Sequence, residues 1–335
     1  MHTKEQIKQY MLKLIAANDS DLVSKAMEYF GKSKSTIYNY LKEMCESNVI
    51  VKKDGEYELV ATEYKFSYHN TGRLSESRIC AQDLEPIIKD YPKNVISIWR
   101  YAFMEMMNNA IEHSESSEIG ITVKKDNLKT TVFIEDNGLG IFKNIQRFMK
   151  QEYGDELPLD ECATLLFAGK FTTAKSMHSG EEIFFTSHMM DEFMIISDDI
   201  VFSRDNFRDE QFENLKKTSG TLVAMSLSNN SKKTSREIFD RFSNIDDGFI
   251  KTSIPIAHIF PSGDPISRSE ARRLGELITN FKEVDLDFTG NEEVGQAFVH
   301  ELFIVWQRNN PDIKLNVIGA CDNVEFMIKR VINTK

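Results

Sequence analysis

The stretch FMEMMNNAIEH, from Phe103 to His113, carries polar side chains at helical spacing inside an apolar segment. Glu105 and Asn109 are four residues apart, so in a helix they lie one turn apart on the same face. Such a carboxylate and carboxamide suit a hydrated Mg²⁺, which prefers oxygen ligands, and a water molecule whose proton the carboxylate can take. The same spacing also describes a core helix with a solvated stripe, so the accompanying motifs have to decide.

The helix that contains this stretch is expected to begin after Pro92, a favoured residue for a first helical turn. Trp99, Phe103 and Met106 recur at three- and four-residue spacing and form its apolar face. The sequence therefore predicts a long helix that is buried on one side and polar on the other.

Composition limits the classes of protein that the chain can belong to. Its 335 residues are enough for about two or three domains, and 41% hydrophobic with 28% charged residues is typical of a globular protein. A net charge of −11 speaks against a protein that coats nucleic acid through bulk charge. A small DNA-reading module is still compatible with this charge, because electrostatic attraction acts locally.

The cysteines argue for a reducing compartment. Cys45, Cys80, Cys162 and Cys321 are far apart and form no CxxC pair, which argues against a metal cluster or a disulfide framework. No apolar run approaches the ~20 residues that cross a bilayer, and the first residues lack the order of a signal peptide. We therefore expect a cytoplasmic protein that does not associate with membranes.

Residues 1–62 predict three helices and then a hairpin, whose Asp54-Gly55 pair is typical of a type I′ turn. This order resembles the winged helix-turn-helix family, which implies a third helix lying in a DNA major groove. The resemblance assigns DNA contacts to the outward side chains of that helix and of the wing: Ser35, Thr36, Tyr38, Asn39, Lys42, Lys52 and Lys53. Acids and bases are about equally frequent in this segment, so a winged helix that contacts only protein is the alternative.

EDNGLGI, Glu135 to Ile141, follows two predicted strands. Asp136 ends the second strand, and Gly138 and Gly140 follow it at DxGxG spacing. Glycines let the backbone approach a flat ligand closely, and the carboxylate can accept a hydrogen bond from an exocyclic amine such as that of adenine. The alternative is a tight turn without a ligand.

Two further motifs follow downstream. In GKFTTAKSMHSGEEIFFTSHMM, Lys170, Thr172 and Gly180 lead into a predicted helix start, where free N–H groups favour phosphate oxygens. In SGTLVAM, Thr221 opens a strand, and its hydroxyl can share the adenine edge with Asp136. Each motif also has an ordinary structural reading, as a capped helix and a β-branched strand residue.

The four motifs occur in an order that resembles the GHKL ATPase fold over residues 75–230. This fold is shared by gyrase B, the MutL repair proteins, histidine kinases and anti-sigma serine kinases. EMMNNAIEH is similar to its N box, DNGLG to its first glycine box, HSGEEIFFTS to its lid-end glycine box, and the GT pair to its late threonine motif.

The resemblance implies a role for each matched residue. Asn109 would hold Mg²⁺ against the triphosphate, and Glu105 would act as a general base or orient water. Gly180 and the amides after it would cradle phosphates, with Lys170 and Thr172 in the preceding loop.

The adenine end of the implied site is formed by the other motifs. Asp136 would bind the adenine amine, Gly138 and Gly140 would shape the wall beside it, and Thr221 would support it. One departure concerns the lid-end box, where the family has a second glycine and this chain has Glu182. An acidic side chain at that place could weaken triphosphate binding, tighten specificity for a closed state or point outward, and fast hydrolysis is therefore less expected.

Residues 255–335 resemble a STAS-like domain, the fold of anti-sigma-factor antagonists. VDLDFTGNEEVGQAF is similar to the strand-then-helix core of that fold. Phosphorylatable members open this helix with a serine, whereas this chain has Gly295 and Gln296 there. We therefore expect a unit that contacts a protein partner without a phosphorylation switch at that place.

Together these patterns predict an α/β (α+β) multidomain protein. Its parts would be a winged helix over 1–62, a GHKL two-layer α/β sandwich over 63–250 with a lid at about 142–182, and a small STAS-like α/β domain over 251–335. The cofactors implied are ATP and Mg²⁺, and the sequence leaves a homodimer open.

The expected function is that of a nucleotide-dependent regulator, a Mg-dependent ATPase that couples ATP binding or hydrolysis to DNA or partner binding. A first alternative is an anti-sigma-type serine/threonine protein kinase that acts on a separate partner. A second is a non-hydrolysing scaffold. The sequence does not separate these, because the base and the metal ligand are shared.

Overall fold

The computed structural model describes residues 2–154, 157–169, 181–203, 219–244, 248–260 and 264–333. These residues form a mixed α/β structure with four sheets, in agreement with the predicted fold class. Within them, no helix combines the length and the apolar character that crossing a membrane requires.

The chain begins with three helices and a hairpin. Their bounds are α1 Lys4–Ala16, α2 Leu22–Phe30, α3 Lys34–Glu46, β1 Ile50–Lys53 and β2 Glu56–Leu59. Thr3 and Gln6 form a capping box at the start of α1, and Ser33 caps the start of α3. Asp54 and Gly55 both have positive φ, as a type I′ turn requires.

The largest sheet is antiparallel, with strand order β3-β4-β5-β8-β6-β7. Its strands are β3 Thr62–His69, β4 Glu118–Lys125, β5 Lys129–Asp136, β6 Glu192–Ser197, β7 Ile200–Ser203 and β8 Leu222–Ser228. The edge strand β3 was not among the elements predicted from the sequence. Charged residues alternate with its aromatic ones, and the strand lies largely in solvent.

Helices flank this sheet in the order of the chain. They are α4 Glu76–Ile79, a π-helical turn Cys80–Leu84, α5 Glu85–Ile88, α6 Lys93–Glu112, α7 Ile141–Tyr153, α8 Leu159–Ala168, α9 Glu182–Met189 and α10 Ser235–Phe242. The apolar face of α6 is buried as its spacing predicts, with Trp99 and Phe103 fully enclosed. The helices α7 and α8 fall within the range assigned to the lid, of which residues 155–156 and 170–180 lie outside the described residues.

The C-terminal part contains a parallel sheet with strand order β11-β12-β13. Its elements, with the short hairpin that precedes them, are β9 Ser243–Asn244, β10 Gly248–Phe249, β11 Lys251–Pro255, α11 Ile256–Ile259, α12 Arg268–Ile278, β12 Glu283–Asp287, α13 Gln296–His300, a π-helical segment Glu301–Trp306, α14 Gln307–Asn309, β13 Lys314–Ile318 and α15 Asp322–Asn333. Helices link successive strands, as parallel pairing demands.

The two larger of three hydrophobic clusters account for most of the packing among the described residues. One is a single cluster of buried side chains whose first member in the chain is Ile79 and whose last is Val331. The six-stranded sheet and the C-terminal part therefore share a core. The other is formed by α1, α2, α3 and β1 and is joined by Leu128 from the β4–β5 turn. The first three helices therefore bury their apolar faces mainly against one another.

One face of the parallel sheet carries a charged network. Lys251 Nζ lies 3.1 Å from Glu283 Oε1 and 3.0 Å from Asp285 Oδ2. Asn316 Nδ2 donates to both carboxylates, at 2.7 and 2.8 Å. Burial lowers the pKa of Lys251, but its hydrogen bonds to Asp285 and Glu283 outweigh this effect and raise it. Hydrogen bonds from Lys251 and Asn316 in turn hold the pKa of Glu283 below its ordinary value.

Substitution of Glu283 by Gln tests this network through its pH dependence. Because the pKa of Glu283 is lower in the folded chain, its carboxylate contributes stability above the ordinary pKa and loses it as the pH falls through the folded pKa. We expect Glu283→Gln to lower the thermal midpoint at neutral pH, and the difference from wild type to shrink below about pH 4.5. Glu276→Gln, at an exposed position of α12, is the control. A difference that stays constant with pH would contradict the assignment.

Candidate functional site

A cavity lies where α6 and α7 meet the ends of β5 and β8. Its empty volume, including the part that is open to solvent, is ≈ 950 Å³. Three of the residues predicted from separate motifs, Asn109, Asp136 and Thr221, line it together. Apolar side chains such as Met106 and Leu166 complete much of the wall, so the cavity is apolar with a few polar groups.

Asp136 is buried at the end of β5 and is held by backbone donors. Its Oδ1 accepts from the amides of Gly138, at 2.9 Å, and Thr221, at 3.2 Å. Its own amide donates to the carbonyl of Thr221, at 2.9 Å. These contacts join the end of β5 to the start of β8 and hold the carboxylate at the cavity.

Thr221 has a structural role that the sequence did not reveal. Its Oγ1 accepts a hydrogen bond of 3.0 Å from the amide of Ile141, the first residue of α7. The residue before the helix is Gly140, which has no side chain to cap it. Thr221 therefore supplies the missing cap from a distant strand, in the manner of an N-cap side chain.

The glycines beside Asp136 allow close backbone approach. A Cβ on Gly138 would lie 1.9 Å from the carbonyl oxygen of Ser114, and one on Gly220 would lie 2.1 Å from that of Asp136. Gly140 has a φ of 96°, and a Cβ there would lie 2.5 Å from Ser197 Oγ. Gly138 and Gly140 do not themselves bound the cavity. They shape it from behind, by letting the chain fold tightly.

The turn between β6 and β7 closes the rear of this glycine loop. Ser197 Oγ donates to the carbonyl of Gly220, at 2.9 Å. Asp198, which has positive φ, forms an ion pair with Lys143 of α7. The loop is thereby fixed to the sheet on one side and to α7 on the other.

A second group of polar contacts joins α7 to the end of α6. Asn144 Nδ2 donates to the carbonyl of His113, at 2.9 Å, and Asn144 Oδ1 accepts from Arg147, at 3.0 Å. Arg147 also binds Glu115, whose pKa it lowers. His113 and Asn144 both line the cavity. Sequence reasoning missed Asn144, because its importance depends on a contact between distant elements.

Acidic side chains surround the polar end of α6. Glu105 lies one turn before Asn109 and is half-buried, but it is not among the residues that bound the cavity. Burial raises the pKa of the Tyr101 phenol, and the nearby carboxylates of Glu105, Glu182 and Glu181 raise it further. Glu182 itself lines the cavity, so the residue that departs from the glycine pattern lies on the wall.

Three predicted residues, Lys170, Thr172 and Gly180, lie outside the described residues. Within the described ranges, no three His, Cys, Asp or Glu side chains gather as a metal site. A Mg²⁺ bound through Asn109 and phosphate oxygens would not need such a group.

The DNA-contact residues predicted on α3 and the wing are mostly exposed. Thr36 is the exception, since it is half-buried and its hydroxyl is 2.9 Å from that of the N-cap Ser33. Two of the lysines already have acidic partners. Lys42 lies 3.7 Å from Glu46, and Lys53 lies 2.7 Å from Glu58. These ion pairs reduce the positive charge that the surface offers to phosphates.

Comparison with known families identifies one part of the chain. Residues 270–325 match the family described as a STAS-like domain of unknown function (DUF4325). The C-terminal prediction is confirmed to that extent, and the match covers only a small part of the chain. No curated protein matches the chain.

The STAS-like domain lacks room for a serine at the start of α13. Gly295 precedes the first residue of this helix, and a Cβ on it would lie 2.3 Å from the carbonyl oxygen of Ile266. A phosphorylatable side chain there would have to displace backbone. The absence of a phosphorylation switch at that place stays a prediction.

Paired substitutions at Gly220 and Gly154 test the close approach. Their φ values are 74° and 71°, but a Cβ on Gly154 meets no heavy atom within 4 Å. Alanine at either position costs about 1–2 kcal/mol for the left-handed backbone. We expect Gly220→Ala to lose about 1–3 kcal/mol more, because its Cβ must displace the Asp136 carbonyl. Equal losses in urea unfolding would contradict this account.

Proposed function

We propose that the cavity binds ATP and that the protein is a nucleotide-dependent regulator. The main support is the buried Asp136, which two backbone amides hold at the cavity beside Thr221. A carboxylate fixed in this way can accept a hydrogen bond from the adenine amine, while the apolar wall covers the ring. The cavity combines an apolar wall with a few polar groups, which is the usual composition of a small-molecule site.

The other end of the cavity has groups that suit phosphates and a cation. Asn109 presents a carboxamide to the cavity, and its oxygen is the type of ligand that Mg²⁺ prefers. Bound Mg²⁺ would neutralise charge on the phosphate oxygens. The residues present therefore fit the cofactor that the N-box resemblance implies, with Asn109 as the protein ligand.

Glu105 is the half-buried carboxylate of α6 and can take a proton. It lies one turn from Asn109, so a water or a hydroxyl held near the terminal phosphate is on its side of the helix. Proton transfer to its carboxylate would accompany attack of that oxygen on phosphorus, with ADP as the leaving group. Water as the nucleophile gives an ATPase, and a partner hydroxyl gives a protein kinase.

A non-hydrolysing binder is a second candidate, and Glu182 favours it. This carboxylate lines the cavity in a region that already contains Glu105 and Glu181. Negative charge there opposes the triphosphate and the charge that develops on it during transfer. Such a site would bind nucleotide as a signal more readily than it would turn it over.

The output of the regulator would pass through the ends of the chain. The three helices and hairpin at residues 4–59 form a compact unit with exposed α3 side chains, and DNA is the ligand that we propose for it. The ion pairs of Lys42 and Lys53 imply modest affinity that depends on salt. The STAS-like domain is the proposed contact for a protein partner.

Substitution of Asp136 by Asn tests nucleotide recognition. We expect wild type to bind ATP more tightly than GTP, because guanine has a carbonyl where adenine has its amine. Asp136→Asn retains Oδ1 but replaces the second acceptor, so ATP affinity should fall roughly tenfold to hundredfold. Titration calorimetry with both nucleotides measures the effect, and Asp240→Asn, at an exposed position of α10, is the control. Absence of ATP binding by wild type would contradict the proposal.

Substitution of Glu105 by Gln separates the enzymatic readings from the binder. If Glu105 is the base, Glu105→Gln should lower turnover about 10²- to 10⁴-fold with little change in ATP affinity. Glu112→Gln, at an exposed position of the same helix, is the control. With labelled ATP, free phosphate indicates an ATPase and label on a co-purified protein indicates a kinase. Absence of turnover in both wild type and variant supports the binder.

A further inference from the structure

The helix α8 belongs to two parts of the molecule at once. Its C-terminal end reaches the cavity, where Leu166 and Gly169 form part of the wall. The helix packs against α7, α9 and β7, and also against β11, α11 and α12, which precede or belong to the STAS-like domain. Cys162 and Ala163, in the middle of the helix, are buried in the shared core. A displacement of the STAS-like domain would therefore remove part of the support of α8.

An ion pair crosses between α8 and the STAS-like domain. Arg273 Nη1 of α12 donates to Glu161 Oε1 in the first turn of α8, at 2.9 Å. Arg273 lies inside the segment that matches the STAS-like family, and Glu161 lies outside it. The neighbouring Arg272 instead pairs with Glu301, within the domain, at 2.7 Å. Arg273 thus links the STAS-like domain to α8, whereas Arg272 makes a contact within the domain.

A chain of aromatic rings makes a second connection. A Cβ on Gly169 would lie 2.5 Å from the ring of Phe184, so the end of α8 is seated directly on α9. The ring centroids of Phe184 and Phe249 are 4.6 Å apart, and those of Phe249 and Phe281 are 5.2 Å apart. Phe281 follows α12 in the STAS-like domain. Packed aromatic side chains therefore run from a cavity residue to that domain.

We propose that the STAS-like domain controls the cavity by bracing α8. When the domain is docked as in this structure, Leu166 and Gly169 form the cavity wall, and a nucleotide meets a complete apolar surface. When the domain moves away from α8, the wall loses its support and nucleotide affinity falls. A protein partner that binds the STAS-like domain can then act on the cavity without contacting it. This inference rests on the proposed nucleotide binding.

The proposed coupling must act in both directions. If docking of the STAS-like domain strengthens nucleotide binding, then nucleotide must strengthen docking by the same factor. Backbone amides of α8 and α12 should therefore exchange more slowly in the presence of nucleotide. A brace that served only folding would not give this reciprocal effect.

A charge-reversal series tests the brace in the full-length chain. Arg273→Glu places two carboxylates opposite each other, and we expect ATP affinity to fall roughly fivefold, at the lower end of usual coupling effects. Exchange of both charges, Glu161→Arg with Arg273→Glu, should restore most of the affinity. Neither residue lines the cavity. Arg268→Glu is the matched control, because it makes the same charge change at an exposed position of the same helix.

Hydrogen exchange of residues 159–168 gives a readout without nucleotide. Hydrogen exchange should be faster in Arg273→Glu than in wild type and unchanged in Arg268→Glu. In the double variant, Glu161→Arg with Arg273→Glu, it should be near the wild-type rate. Equal exchange and equal affinity in Arg273→Glu and Arg268→Glu would overturn the inference. A double variant, Glu161→Arg with Arg273→Glu, whose effects equal the sum of the two single changes would also overturn the inference. The ion pair would then not be the link between α8 and the STAS-like domain.

The two readouts separate failure of the inference from failure of the proposed function. Lack of ATP binding by wild type refutes the nucleotide site, and the hydrogen exchange of α8 then decides whether the brace exists. ATP binding by wild type that Arg273→Glu leaves unchanged refutes the brace and keeps the nucleotide site. Slower exchange of α12 on addition of ATP, seen in wild type and lost in Arg273→Glu, supports both.

Discussion

The cavity depends on close backbone approach at two glycines, where Gly138 lies against Ser114 and Gly220 lies against Asp136. Side chains at either position would collide with backbone oxygens. Because these glycines permit the close approach, the amides of Gly138 and Thr221 both reach Oδ1 of Asp136. The carboxylate is thus held by backbone, which is stiffer than side-chain contacts, and its position is set by the pairing of β5 with β8.

The first turn of α7 follows from the same constraint. Once β8 is aligned with β5, Thr221 is placed to cap α7, and α7 in turn carries Asn144 to the end of α6. Each step joins elements that are far apart in the chain. The cavity is therefore a consequence of sheet register, and a slip of one residue between β5 and β8 would turn Thr221 to the opposite face.

Local patterns were sufficient to predict α6, the hairpin at Asp54-Gly55, the strands β4, β5 and β8, and the strand-then-helix core of the C-terminal part. They identified Asn109, Asp136 and Thr221, which the structure brings to one cavity. The edge strand β3 escaped prediction because it buries little and alternates aromatic with charged residues. The cap that Thr221 gives to α7 and the contact of Asn144 with His113 could not be predicted for another reason. Both depend on long-range contacts that no local spacing encodes.

Glu182 connects the proposed site with the proposed control. At an effective dielectric of 20, two unit charges 4 Å apart interact by about 4 kcal/mol, so a carboxylate on the wall opposes a triphosphate appreciably. In the proposed complex, the attraction that remains would come more from the adenine contacts of Asp136 and from the apolar wall. That wall includes Leu166 and Gly169, the two residues through which α8 reaches the cavity. Weak attraction at the phosphate end would therefore make the proposed nucleotide binding more sensitive to the position of α8, and hence to whatever holds the STAS-like domain.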